Sequence, residues 1–587
     1  MFSGKGKGKS NEDRNSRNDI VEEIDMKDIH KNMRSRSTSS DNKETGHPEE
    51  ASRVYSRGQS GSIGDIIDDK PQLQRGLKAR HLTMISLGGT IGTGLFLASG
   101  ASVANAGPGG ALIAYGMIGI MVFFMMECLG EMATFLPISG SFNNYAGRFI
   151  DPAIGFALGW NYWYNWAVTV AVELTAGSMV MAYWAPWVPG YVWSICFLVI
   201  ILSLNLFSVK GYGEAEYWFA LIKVLTVIVF IILGILVDTA VLGGVYYGVS
   251  NFNYGGVQGL GVLTTFLTAG FSFQGTELIG VAAGESENPR KNVPRAIKQV
   301  FWRILLFYIL SILMIGLIIP YDDPKLLSSD VTNISVSPFT LVFIKAGIPP
   351  AAHVMNAVIL TTVLSAGNSG LYASSRTLLD LANEGKAPKI FRKITKNGIP
   401  IYCVLLTAAI GMLAFLTSLF GNGVVYNWLM NISGIAGFIA WLGIAAAHWR
   451  FRRAYVAQGY KVSDLPFKAR LFPLGPIFAF CVCLFVIVGQ GYNAWSAVPV
   501  NPSDIIAAYI GVPVVLIFYL GYKITKKTKV IPLMEVDLIT GRENIGHGGD
   551  SDDDKKSDPL EGVSIFKPAT WKRIPSNLKS WRDAFHN

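Results

Sequence analysis

The sequence predicts an all-α polytopic membrane protein of twelve transmembrane helices with both ends on the same side. Three observations predict it. First, 51% of the 587 residues are hydrophobic and only 16% charged, with a mean hydropathy of +0.37, which is too few charges for an ordinary soluble surface. Second, apolar runs near the length a spanning helix needs recur at 82–103, 109–132, 154–184, 189–208, 215–238, 259–284, 301–320, 351–380, 400–420, 424–448, 473–495 and 503–524. Third, basic residues fall on alternate connections. With a cytoplasmic N-terminus, the inner loops carry Arg148, Lys210 and clusters within 290–303, 376–396 and 450–470, whereas the outer loops carry only Lys325 and Lys345. The same alternation argues against nucleic acid as the partner of the net charge of +9, because the cations alternate with spans.

Residues 1–72 are polar and poor in aromatics, so they are expected to form a disordered cytoplasmic tail without a secretory signal. Ser35, Ser37, Thr38, Ser39 and Ser40 beside Arg34 and Arg36 suit kinases, and Lys5, Lys7 and Lys9 suit ubiquitination. The helical domain is expected over 73–529 and a charged cytoplasmic tail over 530–587, whose Asp550–Asp554 run reads as solvated.

Span 1 contains Gly88-Gly89-Thr90-Ile91-Gly92-Thr93-Gly94, where a membrane helix normally carries Leu, Ile and Val. Glycine is weakly committed to helix, so the helix can open there. The freed amides and carbonyls must then face protein, water or ligand. Gly88 and Gly92 also fit a close-packing G-x-x-x-G pattern. A turn is expected at Ala106–Gly110. In span 2, Glu131 is expected to reach the cytoplasmic interface, while Glu127 caps or pairs inside the bundle.

In span 3, Asn161, Asn165, Thr169 and Glu173 recur every four residues and share one face. Such a stripe would be costly against lipid, so it should face the interior, either to bind a ligand or to bond neighbouring helices. Two readings fit Lys223 in span 5. It snorkels to the interface, or it points inward and cycles a proton. Span 6 repeats the pattern of span 1 with Ser272-Phe273-Gln274-Gly275-Thr276-Glu277, a second glycine-interrupted polar stretch. Breaks in spans 1 and 6 predict a 5+5 inverted repeat with spans 11 and 12 appended, and a ligand site at the midplane between the two breaks. An amino acid suits such a site. A half-helix N-terminus favours the carboxylate and freed carbonyls accept from the ammonium. Ser365, Asn368, Ser369 and Tyr372 form an interior polar face in span 8, and Asn427, Asn431 and Ser433 precede Gly434 and Gly437 in span 10.

Other chemistries find no footing. Gly92-Thr93-Gly94 lacks the surrounding βαβ unit and third glycine of a dinucleotide loop. There is no nucleophile elbow, Walker loop, zinc pattern or Cys/His dyad, so no enzyme is expected, and no cofactor beyond a proton gradient. The five cysteines lie in predicted spans and need no disulfide. No channel filter or charge ring is visible.

Several motifs together resemble the fungal amino acid permeases of the amino acid–polyamine–organocation superfamily. They are Leu77–His81 leading into Gly88–Phe96, Leu129-Gly130-Glu131-Met132-Ala133, Gly213-Glu214-Ala215-Glu216-Tyr217-Trp218, Phe271–Leu278 and Asn288-Pro289-Arg290-Lys291. The resemblance covers about residues 72–530. Asn105–Pro108, Gly130–Phe135, Asn165-Trp166-Ala167, Tyr321–Leu326 and Leu465–Arg470 resemble the basic amino acid (arginine/lysine) branch. The resemblance implies proton-driven import of L-amino acids, arginine, lysine and also histidine, at the plasma membrane. Vacuolar or endosomal membranes are the alternative location. It implies that Thr90, Gly92, Thr93 and Gly94 receive the α-carboxylate, and that Ser272, Gln274 and Thr276 help hold the backbone groups. It further implies that Glu277 stabilises or gates the break and that Lys223 couples protons. Glu173 and the Asn161/Asn165 stripe are where a cationic side chain would be received, and Ser433 of span 10 is a further substrate-binding candidate. A span 3 glutamate also occurs in carriers of neutral substrates, so a broad or neutral permease stays open, as does a permease-like nutrient receptor. Ubiquitin ligase adaptors and kinases would act on the tails. The chain ends Ala584-Phe585-His586-Asn587, without the Phe-Trp-Cys ending of several relatives, so a palmitoylated terminal cysteine is not expected.

Overall fold

A computed structural model describes residues 91–540 except 139–140, 208, 283–288, 328–336, 396, 497–498 and 501. The expected N-terminal tail, Gly88, Gly89, Thr90 and the Asp550–Asp554 run lie outside the described residues. Among those described, every regular element is a helix, with one isolated β-bridge between Thr239 and Tyr246. Six helices are long and apolar enough to cross a membrane: Ala98–Phe135, Tyr212–Asp238, Pro350–Asn383, Ile401–Phe420, Asn422–Ala457 and Leu474–Ser496. Gly190–Leu206 and Leu306–Ile318 are shorter apolar helices.

The first break survives as a short helix, α1 (Thr93–Phe96), entered from Gly92 in extended conformation. The next helix, α2 (Ala98–Phe135), has 38 residues, ~57 Å at the α-helical rise, and a straight span of that length would overrun the hydrocarbon. It folds at Gly107, whose φ of 72° lies inside the run and is followed by Pro108. The Gly109 and Gly110 amides, free of a normal helical partner, donate to the Gly256 carbonyl at 2.6 and 3.1 Å. The predicted turn is therefore a single residue wide, and only glycine fits it. A Cβ at Gly107 would stand 2.2 Å from the Gly255 oxygen.

Downstream lie α3 (Ser141–Phe149), α4 (Pro152–Met181), α5 (Gly190–Phe207), α6 (Val209–Asp238) and α7 (Gly261–Phe273). The backbone then leaves the helix over Gln274–Glu277 and resumes as α8 (Leu278–Ala282). Two later helices complete the frame, α9 (Pro349–Asn383) and α10 (Asn422–Ala457), followed by α11 (Leu474–Gly489) and α12 (Gly511–Lys526).

The centre of the bundle is α4. It is buried from Asn161 to Val180 apart from Trp163 and Tyr164, and packs against α3, α5, α9, α10 and α12. Thirty residues suffice to span, but its polar stripe keeps it out of the apolar set. Its N-cap, Asp151, accepts from the Ala153 amide at 2.9 Å, as expected before a Pro at the first helical position. The chain after α12 returns to this end. Ile531 N–H donates to the Ile150 carbonyl, Arg450 donates to the carbonyls of Phe149 and Ile531, and Val536 and Leu538 are buried.

One expectation needs correction. Glu131 does not reach the interface; it is fully buried. Arg452 of α10 makes a two-point ion pair with it, and the segment after α10 folds over the end of α2 and brings the Ala469 amide to 2.6 Å. Glu127 is the residue that caps this segment, accepting from Arg470 N–H at 3.0 Å.

Candidate functional site

The two breaks touch. A Cβ at Gly94 would stand 2.4 Å from Ser272 Cα, so glycine is what lets α1 lie against the last turn of α7. Ser272 is fixed from three sides. Its hydroxyl reaches Tyr115 at 3.0 Å and donates to the Thr268 carbonyl, while Tyr308 donates to its carbonyl at 2.9 Å.

The α7–α8 break exposes backbone groups that the chain itself partly satisfies. Gly275 has a φ of 96°, and its amide faces both oxygens of Glu277 at 3.3 and 3.2 Å. The same carboxylate accepts from Trp441 Nε1 on α10 at 3.1 Å and Tyr162 on α4 at 3.3 Å. Donors from three elements around one buried carboxylate hold the unwound segment in one shape. Thr276 is buried here and turns to the Phe273 carbonyl and Glu277, away from the cavity described below.

The polar stripe of α4 faces inward, as its spacing predicts. Asn161 donates to the Ala436 carbonyl at 2.8 Å. Ser433 on α10 joins the rest: its hydroxyl lies 2.8 Å from both Asn165 Oδ1 and Thr169 Oγ1, and 3.2 Å from Gln274 Oε1. Gln274 Nε2 in turn donates to the Ser433 carbonyl at 3.0 Å. Gly437 makes room for that amide, since a Cβ there would stand 2.1 Å from Gln274 Nε2. At the far end of the stripe, Glu173 Oε1 accepts from Thr93 Oγ1 at 3.0 Å.

Gly92, Thr93, Gly94, Trp166, Thr169, Glu173, Phe271, Gln274 and Ala366 enclose a cavity of ≈ 20 Å³. That holds about one water and is far too small for an amino acid, so the site is closed in this conformation. Three buried polar atoms at or beside it have no hydrogen-bond partner among the described residues: Glu173 Oε2, Asn165 Nδ2 and Trp166 Nε1. One acceptor carrying charge and two donors match what a zwitterion with a cationic side chain would satisfy.

Lys223 points inward and does not snorkel. Its side chain is 1% exposed and Nζ lies 4.0 Å from Glu216 Oε1. It does not line the cavity. The span 8 face is also interior: Ser365 donates to Glu216 at 2.6 Å, Asn368 accepts from Asn205 at 2.7 Å, and Ser369 lies 3.2 Å from the Tyr212 hydroxyl.

The structure thus brings Gly92, Thr93, Gly94, Asn165, Glu173, Ser272, Gln274 and Ser433 into one connected cluster. Sequence reasoning missed Trp166, Tyr115, Tyr308 and Ala366 because an aromatic or alanine in a span carries no periodic signal of its own. Glu216 did carry one, two helical turns before Lys223. Among the described residues no group of His, Cys, Asp and Glu could hold a metal, and all five cysteines are free.

Residues 81–532 match the family model described as amino acid permease. The lysine-specific permease LysP of Escherichia coli is 57% identical over 473 residues, covering 80% of this chain and 97% of its own length. The histidine permease HisP of Lactococcus lactis is 50% identical, covering 80% of this chain and 99% of its own. The lysine-specific permease of Saccharomyces cerevisiae is 42% identical, covering 81% of this chain and 80% of its own.

Proposed function

The chain belongs to the amino acid permease family, and on that premise we propose that it is a secondary active transporter that imports basic L-amino acids, lysine and arginine first, together with protons. The observation that carries the reading is Glu173 Oε2, a buried carboxylate oxygen without a partner among the described residues, on the cavity where the two helix breaks meet. The names of the lysine-specific relatives support the substrate class. The histidine permease relative keeps histidine as a competitor.

In this reading the chain crosses the plasma membrane twelve times with cytoplasmic ends, as a 5+5 inverted repeat with helices 1 and 6 discontinuous and two helices appended. The amides around Gly92–Gly94, with Thr90, take the substrate carboxylate at the positive end of a half-helix. Carbonyls at the end of α7, held by Ser272, Gln274 and Thr276, take the α-ammonium. Glu173 takes the side-chain cation, and Asn165, whose Oδ1 is steadied by Ser433, offers its Nδ2 donor to the substrate carboxylate. Admitting a substrate requires α1 and α7 to move off α4 and α10, because the cavity is otherwise closed. Glu277 keeps the unwound segment ordered through that movement. Lys223 carries the proton. Kinases and ubiquitin ligase adaptors act on the tails.

Labelled lysine and arginine uptake in permease-deficient yeast, with and without a protonophore, tests the proposal. Protonophore-sensitive accumulation of both, competed by basic rather than neutral members of a panel of amino acids, is expected. Surface expression without uptake of either contradicts it, and binding without accumulation favours a receptor.

A further inference from the structure

Glu216 and Lys223 stand seven residues apart on α6, two turns, and so share one face. Side chains on a helix lean toward its N-terminus, which runs the long Lys223 chain back toward Glu216. Their charged ends come within 4.0 Å in a site with side-chain exposures of 1% and 0%. Glu216 Oε1 also accepts from Ser365 on α9 at 2.6 Å. Its other oxygen, Oε2, is buried and has no hydrogen-bond partner among the described residues. Glu131, by contrast, has both oxygens filled, by Arg452 and the Ala469 amide. The lysine is therefore paired with a carboxylate nearer the start of α6. On α9, Ser369 lies against Tyr212 of α6, and Arg376 lies over Tyr372, whose ring stacks on Tyr212.

We propose that Glu216 is the proton acceptor for Lys223 on the release side of the cycle. An Nζ–H bond of the Lys223 ammonium breaks, its electron pair stays on nitrogen, and an O–H bond forms on Glu216. A neutral amine and a neutral acid remain, so no net charge is left at membrane depth. The acid then loses its proton to water at the cytoplasmic end of α6, and the carrier can return empty. Ser365 orients the accepting carboxylate. This inference rests on the reading of Lys223 as the proton-coupling group.

The test separates net uptake from exchange. Exchange of internal for external lysine returns the carrier loaded and never requires Lys223 to give up its proton. Glu216→Gln should lower gradient-driven lysine uptake at least ~10-fold while exchange stays within about 2-fold of wild type. Glu216→Asp should recover much of the uptake, and Ser365→Ala should shift the pH profile of net uptake with exchange unaltered. Equal loss of uptake and exchange in Glu216→Gln, or wild-type net uptake, overturns the proposal. If that variant does not reach the membrane, unaltered pH profiles in Glu216→Asp and Ser365→Ala overturn it instead. Wild-type uptake insensitive to a protonophore would be a different failure, that of proton coupling itself.

Discussion

Glu131 and Glu173 are both buried carboxylates in the same helical bundle, and their surroundings are opposite. Around Glu131, Arg452 spans both oxygens, the Ala469 amide lies at 2.6 Å and the His448 ring at 3.2 Å. Around Glu173, one oxygen accepts from Thr93 at 3.0 Å and the other has no partner among the described residues. Removing a charge from water costs several kcal/mol, and only good partners offset it. Glu131 has them on site, so it serves as a joint between α2, α10 and the segment after α10. Glu173 lacks them, on a cavity bounded by two unwound helices. The difference teaches where to look for function in this bundle: at the buried charge left incomplete, not at the one best paired.

The comparison breaks most readily through folding. Glu131→Ala strands the Arg452 guanidinium and should cost about 3–5 kcal/mol, read as a large drop in thermal stability of the purified protein. Glu173→Gln should leave thermal stability nearly unchanged yet reduce lysine uptake about 10- to 100-fold, the worth of one charge-assisted hydrogen bond. Unchanged kinetics would place Glu173 with Glu131 as architecture. Gly94→Ala sharpens the same contrast without touching charge. Its methyl collides with the Ser272 backbone, so it should cost on the order of 1–3 kcal/mol and abolish uptake by holding the breaks apart. Retained uptake would mean that the breaks need not meet.

The smallest effect belongs to a third carboxylate, Asp151, the N-cap of α4. Partial burial opposes its ionisation, but the Lys523 ammonium, the Ala153 amide and the Thr528 hydroxyl outweigh this and hold its pKa below the usual carboxylate value. Its stabilising contribution is therefore present above the ordinary carboxylate pKa and disappears as pH falls through the lowered one. Lys523→Ala should lower thermal stability only slightly at neutral pH, because the lysine is solvent-accessible. Its thermal-stability deficit should vanish under acid; a deficit that persists there would assign Lys523 a packing role.

Much of this was legible in the sequence because it is periodic or punctuated. The stripe Asn161, Asn165, Thr169, Glu173 predicted an inward face, and it meets Ser433 and Thr93. The glycine runs predicted two breaks, and they touch at Gly94 and Ser272. Pairings across long separations were not legible. Arg452 of α10 lies 321 residues from Glu131 and Ala469 of the following segment lies 338, and nothing local to span 2 shows that either packs over it. Trp166 and Ala366 line the cavity through helix rotation and packing, which a hydropathy pattern does not report. The inward aim of Lys223 required its neighbour Glu216, whose carboxylate explains why the lysine does not snorkel.

The central claim is that Glu173 receives the cationic end of the substrate. It is tested most directly by the ratio of lysine to norleucine transport, two substrates of similar length that differ in the terminal charge. Wild type should favour lysine strongly, and Glu173→Gln should lower the ratio at least ~10-fold, since about 1.4 kcal/mol is a tenfold change. A ratio unchanged in Glu173→Gln would contradict the account and move selectivity elsewhere in the bundle.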